Sequence, residues 1–92
     1  MAARAPKTLI EKFKINGEDD SKKARAIRML VENVGKQVPI ARLQEAIYGK
    51  GQGDIKNTKQ VLTSIALAGT GTIMKREGRG EDSTHGLYAR RA

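Results

Sequence analysis

The chain has no cysteine and no tryptophan, one phenylalanine, two tyrosines, one histidine and two prolines. Without cysteine there is no disulfide, no thiolate nucleophile and no cysteine-ligated zinc, a composition that suits a reducing compartment. So few aromatic side chains equip the chain poorly for stacking single-stranded bases. No apolar run approaches the roughly 20 residues of a membrane span. The opening Met1-Ala2-Ala3-Arg4-Ala5-Pro6-Lys7 lacks the apolar stretch of a secretory signal, so a cytoplasmic protein with no membrane partner is expected. A lone histidine, His85, has no second histidine or cysteine with which to act as a paired base or metal ligand. The acids Glu18-Asp19-Asp20 are explained by the dipole of a helix that starts beside them. The expectation is a non-enzyme with no cofactor and no metal.

What is abundant is positive charge. Lysine and arginine number 18 against 10 acids, a net charge of +8 on 92 residues. Residues 21–68 hold nine basic and three acidic side chains, and residues 69–92 hold five and three, whereas residues 1–20 are neutral. The excess therefore belongs to the body of the chain and is not a detachable tail. Polyanions are the natural partners of such a surface, because each cation that neutralises a phosphate releases condensed counterions.

The first 20 residues read as an arm. Within it Leu9, Ile10, Phe13 and Ile15 form a short helical turn or an edge strand that Asn16-Gly17 ends. Ser21 is a cap for a first helix over Lys22–Asn33, in which Ala24, Ile27, Leu30, Val31 and Val34 make the buried stripe. Its outer surface carries Lys22, Lys23, Arg25 and Arg28, and Gly35 terminates it. Gln37-Val38 is a short extended link, and Pro39 opens a second helix over Ile40–Tyr48 that buries Ile40, Leu43, Ala46 and Ile47. Gly49-Lys50-Gly51-Gln52-Gly53 is a turn. Asp54 caps a third helix over 55–68, with Ile55, Thr58, Val61, Leu62 and Ile65 turned inward. Residues 70–77 and 86–90 are β-prone and pair as a hairpin around the hydrophilic loop 78–85. Three helices followed by a hairpin with a polar loop form an α+β winged helix-turn-helix, expected over residues 21–92.

At this point the residues bring a superfamily into view. The run Gly35-Lys36-Gln37-Val38-Pro39-Ile40-Ala41-Arg42-Leu43-Gln44-Glu45-Ala46-Ile47-Tyr48-Gly49 resembles the second-helix segment of winged helix-turn-helix transcription factors, above all the effector domains of bacterial response regulators. Gly86-Leu87-Tyr88-Ala89-Arg90 is similar to their last wing strand. The likeness covers about residues 21–90. It departs from those effector domains in having no receiver domain or N-terminal sheet, no arginine-rich end to the third helix, and a longer wing loop with Glu81 and Asp82 at its tip. The superfamily alone is assigned.

The resemblance and the charge together imply double-stranded DNA as the partner and transcription regulation as the role. On the outer face of the third helix, Asn57 and Gln60 are candidates for bidentate pairing with adenine, Lys56 and Lys59 for guanine acceptors or phosphates, and Thr63 for a thymine methyl. The wing offers Lys75, Arg76, Arg79 and His85, with Arg79 between two glycines that give it freedom to enter a minor groove. Arg90 and Arg91 close the chain near the same surface. The turn around Lys50 lacks the Ser or Thr of a P-loop, so it reads as a linker beside which a DNA phosphate can rest on the third helix. The arm's apolar residues either pair two copies as a homodimer or cover the core. Two other readings fit the charge: an architectural or RNA-associated winged helix, and an adaptor that grips a host or partner protein.

Overall fold

The computed structural model describes residues 9–15 and 18–90. Among them the order is α1 (Leu9–Lys12), α2 (Lys22–Glu32), β1 (Val38–Pro39), α3 (Ile40–Tyr48), α4 (Ile55–Thr63), β2 (Thr72–Glu77), a single 3-10 turn (Gly80–Asp82) and β3 (Thr84–Ala89). The strands form one antiparallel sheet in the order β1-β3-β2. The result is a small α+β domain. Among the described residues no helix is long and apolar enough to cross a membrane.

The helix starts follow local chemistry. Ser21 caps α2 by accepting the Ala24 N–H at 3.2 Å, and Asp19 accepts the Ser21 N–H at 3.0 Å. Arg25 does not decorate the outside as a free cation. Its guanidinium grips Asp20 at 2.6 and 2.8 Å and donates to the Ile47 carbonyl at 2.8 Å, tying the start of α2 to the end of α3. Ala24, Ala26, Ile27 and Leu30 are buried. Val34, expected in the same stripe, is instead 46% exposed. The helix stops at Glu32 and the Asn33 amide folds back onto the Met29 carbonyl at 2.8 Å, so the 3.6-residue period no longer carries Val34 inward. Gly35 then turns the chain with φ +84° and donates its N–H to the Leu87 carbonyl of β3 at 2.7 Å.

Pro39 ends β1 and immediately precedes α3. It offers no side-chain cap, but the Ile40 N–H finds the Ser83 carbonyl at 2.9 Å, which satisfies one of the helix's orphan donors. After α3 the turn is held by Gln44, whose amide donates to the carbonyls of Gln52 and Gly53, both at 3.0 Å. Asp54 then caps α4 through the Asn57 N–H at 2.6 Å. The third helix ends at Thr63, five residues short of the expected Ala68. The hydroxyls of Thr63 and Ser64 donate back to the carbonyls of Lys59 and Val61 at 2.8 and 2.6 Å, competing with the backbone ladder where it would have to continue. Ile65 leaves the helix yet stays buried.

Ile15, Leu30, Ile40, Leu43, Ile47, Leu62 and Leu87 belong to one core, against which Ile10 and Phe13 of the arm also pack. These apolar arm residues therefore cover the domain's own core. Asn16-Gly17, read as the end of the arm, and Arg91 lie outside the described residues.

The hairpin differs from expectation at both ends. Thr70 and Gly71 precede β2, and Thr84 and His85 belong to β3, which shrinks the loop to 78–83. That loop is pinned: Ser83 is buried and its hydroxyl donates to the Gly80 carbonyl at 2.8 Å. Gly78 and Gly80 take φ of +76° and +57° to make the turn itself. β3 crosses the preceding segment very closely at Gly86, where an added Cβ would lie 2.4 Å from the Lys36 carbonyl oxygen. Gln37 uses that gap, donating its amide to the Tyr88 hydroxyl at 2.9 Å and the Lys75 carbonyl at 3.3 Å while accepting from the Thr84 hydroxyl at 2.7 Å. Gly86→Ala is expected to destabilise the fold by about 1–3 kcal/mol, because the obstacle is backbone and not a movable side-chain end. Urea denaturation would register this as a lower midpoint at unchanged slope.

Candidate nucleic-acid interface

Lys56, Lys59, Gln60 and Thr63 recur at helical spacing, so α4 presents them on one face. Together with Ser64 they line a shallow groove of about 450 Å³. Lys56, Gln60 and Thr63 are exposed and Lys59 is half-buried. The Thr63 hydroxyl is engaged by the Lys59 carbonyl, which leaves its methyl as the group it offers outward. At nine residues α4 is about 13.5 Å long.

Asn57 sits on the adjoining face, where a second groove of about 390 Å³ is lined by Lys22, Tyr48, Asn57, Gln60, Val61 and Ser64. Its carboxamide donates to the Asp54 carboxylate at 3.2 Å and so reinforces the helix cap. Gln60 borders both grooves. The Lys22 ammonium lies 5.1 Å from the Tyr48 ring centroid at the same groove, a cation–π distance. Lys50 is exposed in the turn before α4. Gly53 in that turn has φ +75°, and a Cβ there would fall 2.3 Å from the Tyr48 ring, so the glycine is needed for close approach.

Strand alternation divides the hairpin cations. Opposed pairs Met74–Leu87 and Arg76–His85 share the face that looks toward α4. Lys75 opposes Gly86 on the other face, with its ammonium 5.0 Å from the Tyr88 ring centroid. Arg76 is exposed at the rim of a notch of about 340 Å³, whose walls are Leu62, Thr63, Met74, Arg76 and His85. Thr63 is common to this notch and to the α4 groove, so one surface runs from Lys56 to Arg76. Arg79 is exposed at the turn end of the hairpin and Arg90 at its base. Five residue steps of paired strand separate those ends, about 17 Å. The sequence-based set is thus resolved into a contiguous group, Lys56, Lys59, Gln60, Thr63 and Arg76, to which Asn57 is joined through the groove bordered by Gln60, and outlying members, Lys50, Lys75, Arg79 and Arg90.

His85 is not the surface wing residue that its glycine-rich surroundings suggest. It is 4% exposed, and its Nδ1 is buried without a hydrogen-bond partner. Its parity with Leu87 was the available signal, since residues two apart on a strand share a face. Burial first, then the charges of Arg76 and Lys59, hold its pKa below the ordinary 6.5. Among the described residues no group of three or more His, Asp or Glu side chains is placed to hold a metal. Asp19 and Asp20 are held below their usual carboxylate value, mainly by hydrogen bonds from Ser21 and Arg25 respectively.

A histidine with a depressed folded pKa contributes stability that is present above 6.5 and lost as pH falls through the folded value. The urea midpoint is therefore expected to fall between about pH 7.5 and 5, a window above that of Asp19 and Asp20, whose contributions are lost only as pH drops below about 4. His85→Leu should flatten the dependence in that window; an equal slope in the variant would assign it to another group.

The chain matches no family model, no curated protein and no solved structure, so a functional reading rests on the placement of these side chains.

Proposed function

We propose that this chain is a winged helix-turn-helix domain that binds double-stranded DNA, with the outer face of α4 in the major groove and Arg76 on the flanking backbone. The observation that carries the reading is the continuity of one surface from Lys56 through Thr63 to Arg76. The element order α2-β1-α3-α4-β2-β3 and the sheet order β1-β3-β2 support it, as does the net charge of +8. A helix about 13.5 Å long presents its whole outer face to a groove about 12 Å wide. In this reading Gln60 pairs with adenine, Lys56 and Lys59 reach guanine acceptors or phosphates, and the Thr63 methyl meets a thymine methyl. Lys50, Lys22 and Arg79 reach phosphates at the margins. The role is regulation by binding, without catalysis or cofactor; the sole histidine lies among apolar side chains and cations.

Fluorescence anisotropy of a labelled mixed-sequence duplex, titrated at several salt concentrations, tests this. Affinity is expected to fall steeply with salt, with a slope equivalent to about four or more phosphates, and Lys56→Ala should lower that slope by about one phosphate. Against a selected site, Gln60→Ala should relax base preference by about 1–3 kcal/mol at one position. Asn57→Ala should leave preference unchanged, because its amide serves the cap. No binding at low salt would overturn the reading, and stronger binding to duplex RNA would move it to the RNA-associated class.

A further inference from the structure

The fold leaves His85 unexplained. A buried imidazole nitrogen normally has a partner, because an unmade hydrogen bond in the interior is costly. Here Nδ1 has none, and the ring lines a notch beside an exposed arginine. The charges that bear on the ring are Arg76 of β2 and Lys59 of α4, with no carboxylate among them. Across the sheet on its other side stands Val38 of β1, which is apolar. Arg76 on the notch wall, the Lys59 charge in the adjoining α4 groove and an imidazole whose Nδ1 has no partner together are the complement of an anion. The notch has about 340 Å³ of room, many times the ~30 Å³ share of one water.

We propose that this notch is a phosphate seat, in which an anionic phosphodiester held by Arg76, with Lys59 in the adjoining α4 groove, draws a proton onto His85, so that binding and proton uptake are coupled. The proposal rests on the DNA reading for the source of the phosphate and adds to it a named seat and a pH dependence. The physical reason is reciprocal. In the free protein, burial and the charges of Arg76 and Lys59 oppose protonation of the ring; a negative group beside Arg76 in the notch offsets that field and favours the imidazolium. The imidazolium in turn attracts the anion. Linkage then requires affinity to rise as pH falls, by as much as tenfold for each unit by which the bound pKa exceeds the free one.

The chain contains one histidine, so its imidazole proton resonances are assigned without ambiguity. The experiment is an NMR pH titration of His85 in the full chain from pH 4.5 to 8.5 in three states: free, saturated with a mixed-sequence duplex, and in sulfate, whose charge is constant over that range. The expected result is a midpoint below 6.5 in the free protein that rises by about one unit or more with duplex, and by less with sulfate. In parallel, duplex affinity should rise as pH falls from 8, approaching about tenfold per unit of midpoint rise once the pH lies below the free midpoint, and Arg76→Ala should raise the free midpoint and shrink the rise caused by duplex. Duplex binding with an unmoved His85 midpoint would overturn the phosphate seat while leaving the DNA reading intact. A midpoint raised by sulfate in a protein that binds no duplex would support the seat as an anion site and overturn the DNA reading. An unmoved midpoint in both, with no duplex binding, would overturn both.

Discussion

The passage of the Lys36-Gln37 backbone across Gly86 is the contact on which the rest of the domain depends. A two-stranded hairpin is marginal by itself in water, so β2 and β3 need a surface to rest on. Gly86 lets the chain lie against β3 at a distance no side chain would permit, and Gln37 reaches through that gap to Tyr88, Lys75 and Thr84. The Gly35 N–H reaches the Leu87 carbonyl within the same few residues. The end of α2, the start of α3 and the hairpin are thereby joined at one point. Once they are joined, strand parity decides the rest: Leu87 enters the core, His85 follows it, and Arg76 opposite His85 faces α4.

The same constraint sorts the positive charge. Arg25 is consumed by internal contacts to Asp20 and Ile47, and Lys75 lies over Tyr88 on the far face of the sheet. Lys56, Lys59 and Arg76 remain on one surface, where their mutual repulsion is a cost to the free fold that an anionic partner would relieve. His85 beneath them carries part of that cost. In the proposed phosphate seat, a group that weakens the free domain as pH falls would strengthen the complex over the same range, and would thus serve recognition more than stability.

Much of this was legible locally. Ser21 and Asp54 cap their helices as their side chains predict, and α3 matches its expected span because Ile40, Leu43 and Ile47 repeat at helical spacing between a proline and a glycine. The end of α4 was not legible, because apolar periodicity continues to Ile65 while the hydroxyls of Thr63 and Ser64 undo the helix first. Val34 misled for a related reason: its spacing is right, but the helix stops before it. The division of Lys75 from Arg76, and the burial of His85, depend on where β3 begins, and that is set by contacts that Ile40 and Gln37, from elsewhere in the chain, make with Ser83 and Thr84. Local pattern thus reached the candidate helix face, whereas the hairpin's share of the surface required tertiary structure.

The central claim is that α4 and the inner face of the hairpin form a single DNA-binding surface. Mapping backbone amide shifts of the labelled protein during titration with a short mixed-sequence duplex tests it most directly. The account predicts shifts concentrated over Lys56–Ser64 and Arg76–His85, with little change at the separate groove formed by Met29, Arg42, Glu45 and Ala46. Shifts centred on that α2–α3 groove, or confined to α4 with the hairpin silent, would contradict it.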